Sequence, residues 1–283
     1  RPIILVFLFC QLAKISSAQV PSTWTVNPSA YTYQMSVTAK ANQACVDLAD
    51  ANNYVAAFVG GQCRGVIKTN TSVGPNMLGL LTIKSNVVSG EKVSFQIYKA
   101  SSNTVLNILD SVVFSQGASI GTLSSPFMFF TNHAPTDISI GTYTVNENTP
   151  LATVASSLSA IDQDAGTVFT YSLTGAQPEN TQFGISGSNL TVNSLFDYET
   201  DSIKIIELQV DDNGGCKYAE TFTIQVVNTN DAPTALTLTT TTVFDHQQAG
   251  SYIGQFFTID PDVNDVQTYS SVAGSGYVDN QKF

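Results

Sequence analysis

Ile203-Lys204-Ile205-Ile206-Glu207-Leu208-Gln209-Val210 and, one turn later, Phe222-Thr223-Ile224-Gln225-Val226 alternate apolar with polar residues. Successive side chains of a strand point to opposite faces, so a period of two marks a strand with one face in a core and the other in water. Asp211-Asp212-Asn213-Gly214-Gly215, between the two runs, is made of turn formers. Working outward, Tyr31, Tyr33, Met35 and Val37 alternate in the same way, as do Val93, Phe95 and Ile97, and Gly60-Gly61 and Ser89-Gly90 punctuate them. Thr, Val and Ile are abundant, and no helical stripe of useful length interrupts the pattern. Short strands at regular spacing predict an all-β fold of tandem antiparallel β-sandwich modules.

The chain has 283 residues, 43% of them hydrophobic and 12% charged, enough to build more than one core and too apolar for a disordered chain. Residues 1–18 run from Arg1 through the apolar stretch Ile3 to Leu12 and reach Ser16-Ser17-Ala18, the outline of a secretory leader cut before Gln19. Lys14 ends the apolar run too early for a membrane span. From Gln19 to His133 there are six bases and four acids, a balance of +2; from Ala134 to Phe283 there are three bases and 18 acids, a balance of −15. So sharp a change at one point suggests different tasks for the two parts. A net charge of −11 argues against nucleic acid and anionic lipid, which need basic side chains to displace counterions.

The acidic part repeats itself. Ala134-Pro135-Thr136 recurs as Ala232-Pro233-Thr234, Ile161-Asp162-Gln163-Asp164 as Ile259-Asp260-Pro261-Asp262, and Thr170-Tyr171-Ser172 as Thr268-Tyr269-Ser270. Glu147 falls on Asp245 under the same displacement. A constant offset with acids falling on acids marks a duplicated module of about a hundred residues. The expected organisation is a leader (1–18), an N-terminal β-sandwich (19–131), one repeat (132–231) and a second copy (232–283) that runs only about half its length, so that the chain reads as a fragment.

Acids crowd the module ends. Glu147 lies in Val145-Asn146-Glu147-Asn148, and Asp197 and Glu199 in Leu195-Phe196-Asp197-Tyr198-Glu199. Asn230 and Asp231 lie in the connector Asn228-Thr229-Asn230-Asp231-Ala232-Pro233, and Asp260 and Asp262 open the next copy's turn. Like charges held together are costly unless a cation compensates them, and clustered hard oxygens suit Ca²⁺. With these motifs, residues 134–283 resemble cadherin-like repeats in the shorter-linker form common in bacterial surface proteins. The resemblance implies that Glu147, Asp197, Glu199, Asn230, Asp231, Asp260 and Asp262 bind Ca²⁺ together at the junction of two repeats. Three positions depart from the family pattern: the linker's leading acid is Asn228, Ala232 replaces an Asn, and Tyr198 separates the paired acids. The upstream connector Asn132-His133-Ala134-Pro135 supplies no acid, which leaves Asp162 and Asp164 without a completing partner. The N-terminal opening Trp24-Thr25-Val26-Asn27-Pro28 and the stretch from Val55 to Gly65 look like a repeat of exported bacterial surface proteins with no known ligand.

Three cysteines follow the leader. Cys45 and Cys63 share one segment, so they either bridge or stay as two buried thiols; a bridge would leave Cys216 alone in its turn. There is no metal-binding Cys/His spacing, no nucleophile with a base and no phosphate loop, so catalysis is not expected, and His133 and His246 read as exposed polar residues. Two functions fit. One is a calcium-stiffened extracellular segment in cell adhesion or spacing, whose partner is another surface protein, a glycan or a second copy of itself, held to the membrane only by an anchor elsewhere. The other is a set of accessory, glycan-binding modules of a secreted hydrolase.

Overall fold

The computed structural model describes residues 19–74 and 76–272; the proposed leader and Phe283 lie outside the described residues. Among those residues there is no α-helix, only strands and two short 3₁₀ turns. The first part contributes β1 (Tyr33–Gln43), β2 (Val46–Asp47), β3 (Tyr54–Val59), β4 (Gln62–Lys68), β5 (Thr71–Val73), β6 (Asn76–Ser85), β7 (Ser89–Lys99), β8 (Thr104–Ser115), β9 (Ser119–Ile120) and β10 (Phe127–Phe130). One sheet runs β10-β1-β6-β5, with β2 and β9 also on β1; the other runs β4-β3-β7-β8. The alternation seen in the sequence sets which face is covered. Met35 and Val37 of β1, Val93, Phe95 and Ile97 of β7, and Phe114 and Phe129 fill one core between the sheets. The Phe95 and Phe129 rings lie 4.3 Å apart. Neighbouring strands are mostly antiparallel, but β9 and β10 pair with β1 in parallel. Trp24 is buried in a smaller cluster with Cys63 and Tyr98.

The repeat contributes β11 (Asp137–Ile140), β12 (Thr144–Asn146), β13 (Val154–Ile161), β14 (Thr170–Leu173), β15 (Phe183–Ser186), β16 (Asn189–Val192), β17 (Ile203–Asp211) and β18 (Lys217–Val227). Its two sheets run β11-β13-β16-β15 and β12-β18-β17-β14. In β17 the period of two has a definite phase: Ile206, Leu208 and Val210 are fully buried, while Ile203 and Ile205 face solvent. That phase carries Lys204 inward as well. Its stem is buried, and its ammonium reaches Asp201 at 2.7 Å over the Phe196 ring, so the charge stays paired. The last two strands, β19 (Ala235–Leu238) and β20 (Phe256–Ile259), pair only with each other among the described residues, and Leu236, Phe257 and Ile259 remain exposed.

By compactness the chain divides into two units. One runs through Ile138 and includes Ala160–Thr170 and Val210–Tyr218; the other comprises Ser139–Ser159, Tyr171–Gln209 and the chain from Ala219 onward. The first unit contains a disulfide between Cys45 and Cys216, 171 residues apart. The Cys45–Cys63 bridge is therefore corrected, and so is the unpaired Cys216. Cys63 points into the Trp24 cluster, where its thiol donates to Gly65 O and burial pushes its pKa up. Proximity in sequence misled here, because the two sheets direct Cys45 and Cys63 to different places.

The Cys216 turn is held from inside. Asp212 is buried, and its Oδ1 accepts the N–H groups of Gly214 at 2.7 Å and Cys216 at 3.0 Å. Gly215 has φ of +100°, and a Cβ there would lie 2.7 Å from the Ala44 Cβ. Only glycine permits that backbone and that approach. Gly215→Ala is expected to cost about 1–3 kcal/mol of stability, read as a lower denaturant midpoint. An unchanged midpoint would refute the close approach.

Candidate metal centre

All seven residues proposed as ligands lie within the second unit. Glu147 follows β12 directly, is 3% exposed, and organises the site. Its Oε2 accepts the backbone N–H of Tyr198 at 2.8 Å, and its Oε1 accepts that of Thr229 at 2.7 Å. One buried carboxylate thus ties the Asp197–Glu199 turn to the connector after β18. Asp197 shapes that turn, because its oxygens accept the N–H and the hydroxyl of Thr200. Carboxylate oxygens of Glu147, Asp197 and Glu199 all lie within 4.8 Å of one another.

The connector and the turn after β20 close on this trio. Asn228 donates its amide to Glu199 Oε1 at 2.7 Å and to Asp262 Oδ1 at 2.8 Å. The amide at this position donates to both carboxylates, where an aspartate would repel them. Asp231 donates its backbone N–H to Asp262 Oδ2 at 2.5 Å and accepts the Asn148 amide on its own side chain. Asn230 donates its side-chain amide back to Asp231 O. Asp260 accepts the Asp262 N–H and the Gln267 amide.

Asp260 and Asp262 form a second trio of oxygens with Asp265, a residue that sequence reasoning passed over. It lies three residues past Asp262, and Asn264 before it adopts a left-handed φ of +77°, which returns the chain toward the other two acids. The Asp-Val-Asn-Asp pattern of acids and turn formers was the available signal.

The electrostatics of the cluster are one-sided. Among the described residues, no Lys, Arg or His lies within 4.0 Å of any of these carboxylates in an ion pair. Glu199 is held above the usual carboxylate range, first by lost hydration, then by the like charges of Glu147, Asp262 and Asp231. An all-oxygen donor set with no cationic side chain paired to it among the described residues fits a hard divalent cation such as Ca²⁺.

No protein-family model and no curated protein sequence matches the chain. Solved structures similar to it include cadherin extracellular domains. Protocadherin gamma B7 extracellular cadherin domains 1–4 are 14% identical, with a TM-score of 0.36 over 84% of this chain and 52% of that one. Human CDH23 EC21–23 is 12% identical, with a TM-score of 0.36 over 80% of this chain and 78% of that one. Human protocadherin-24 EC1–2 is 15% identical, with a TM-score of 0.31 over 65% of this chain and 85% of that one. The chain spans about half the length of the gamma B7 structure. At these identities and scores the likeness carries no functional assignment.

Proposed function

We propose that this chain is a calcium-binding, cadherin-like segment of an extracellular protein, acting in cell adhesion or as a stiffened spacer. The observation that supports it is the trio Glu147, Asp197 and Glu199, hydrogen-bonded through Asn228 to Asp262 of the next copy, with no cationic side chain paired to it among the described residues. Glu147, Asp197, Glu199, Asn230, Asp231, Asp260 and Asp262, joined by Asp265, are the residues that would hold calcium, their carboxylates gathered in two trios, Glu147 with Asp197 and Glu199, and Asp260 with Asp262 and Asp265. A bound Ca²⁺ would supply positive charge to these oxygens and remove their mutual repulsion. The connector, already held by Glu147 and Asp262, would then lose its freedom to hinge. The partner of such a segment is another surface protein, a glycan or a second copy of the chain. Among the described residues no helix is long and apolar enough to cross a membrane.

Calorimetric titration of the chain with calcium chloride tests this. Uptake is expected, with weak or no uptake of magnesium, which demands tighter octahedral geometry and dehydrates reluctantly. Glu199→Gln separates a metal site from a merely acidic face through the sign of its effects. It relieves repulsion, so the chelated variant should melt no lower than wild type, while calcium affinity should fall about tenfold or more, as loss of a ligand carboxylate implies. A wild-type chain that neither releases nor absorbs heat of binding with calcium, and melts no higher in its presence, would end the proposal.

A further inference from the structure

The 98-residue repeat is visible in hydrogen bonds as well as in sequence. Thr136 N–H donates to Ile161 O as Thr234 N–H does to Ile259 O, each at 2.8 Å. Asp164 N–H donates to Asp162 Oδ1 as Asp262 N–H does to Asp260 Oδ1. His133 N–H donates to Asp164 Oδ2 at 2.7 Å as Asp231 N–H does to Asp262 Oδ2. His133 therefore occupies the place upstream that the anionic Asp231 occupies downstream. The reading of His133 as an exposed polar residue is corrected: its side chain is 13% exposed. His133 Nδ1 faces Asp164 Oδ1 at 2.7 Å, and Nε2 faces Asp110 Oδ1 at 3.4 Å.

A neutral imidazole donates from only one nitrogen, whereas an imidazolium donates from both. With a carboxylate oxygen opposite each nitrogen, only the charged ring satisfies both contacts. We propose that His133 is the internal cation of this upstream joint, bridging Asp110 of β8 and Asp164 of the turn after β13, so that the joint closes on a proton and takes no divalent ion. The surroundings favour that charge. Asp162 lies in the same turn as Asp164; Asp212 accepts the amide of the neighbouring Asn132 at 2.5 Å; and the Phe130 ring lies 4.9 Å from the imidazole. No Lys or Arg is ion-paired to these acids among the described residues. Desolvation lowers the imidazole pKa, but the hydrogen bond and charge of Asp164 and the charge of Asp110 outweigh it, and the net shift is upward. A raised folded pKa adds stability that is complete below the unfolded value of about 6.5 and is lost as pH rises through the folded value.

NMR titration of the imidazole signals tests this on the intact chain, with His246→Gln used to assign the only other histidine. His133 is expected to titrate above about 6.5, the value for an imidazole in water. Asp164→Asn should lower its midpoint. Melting temperature in chelator should fall with rising pH in wild type and change less in His133→Gln. A midpoint at or below the free value, or a His133 signal that moves when calcium chloride is added at constant pH, would overturn the proposal. The wild-type titration decides even if the variants fold poorly. Calcium uptake by the downstream trio is read separately by calorimetry, so either result can fail alone.

Discussion

Glu147→Gln is expected to abolish the calcium-dependent gain in melting temperature and to lower the melting temperature even in chelator. The side chain is buried, and each oxygen accepts one backbone N–H, from Tyr198 and from Thr229. Glutamine keeps one acceptor and turns an amide NH₂ toward the other N–H. A buried donor left unpaired costs about 1–3 kcal/mol, an effect independent of any ion. In wild type, calcium at a hundred times its dissociation constant should add about 2.7 kcal/mol of stability by mass action. Because Glu147 joins the Asp197–Glu199 turn to the connector, its replacement should remove that increment as well. Thermal melts of both chains, with calcium and with chelator, measure the two effects separately. If Glu147→Gln keeps the full calcium increment, the carboxylate trio is not the binding site.

The second large effect concerns the disulfide. Reduction with dithiothreitol, or Cys45→Ser, is expected to destabilise the first unit by up to about 5 kcal/mol, the loop-closure value for a cross-link of this span. The link closes 171 residues and anchors the turn after β1 to the turn before β18. Asp212 and Gly215 shape the Cys216 side of this contact, while Ala44 and Cys45 adopt left-handed φ values of 51° and 59° on the other. Peptide mapping of the unreduced chain should yield Cys45 joined to Cys216 with Cys63 as a free thiol, and Cys63→Ala should leave the cross-link intact. A Cys45–Cys63 peptide, or a melting temperature indifferent to reductant, would contradict this arrangement.

Much of the architecture is legible in the chain because strand periodicity is a local property. Ile206, Leu208 and Val210 are inward because they share one phase of β17, and the same phase carries Lys204 inward too, which hydropathy alone conceals. The crowding of acids beside the second connector is likewise visible along the chain, since their spacing repeats. Asn228 looked like a defect in the motif, and only its two hydrogen bonds show how an amide fits there. Asp265 was missed because its approach to Asp260 depends on the left-handed Asn264.

The sequence by itself determined the all-β class, the strand phases, the motifs that recur after 98 residues and the crowding of acids beside them, since each is set by periodicity or by the order of near neighbours. Tertiary structure alone decided which distant groups meet: Cys45 with Cys216, His133 with Asp110 and Asp164, and Glu147 with the backbone of Tyr198 and Thr229. These pairings join residues from 23 to 171 positions apart. They depend on how strands and turns pack in space, and no local pattern along the chain encodes that.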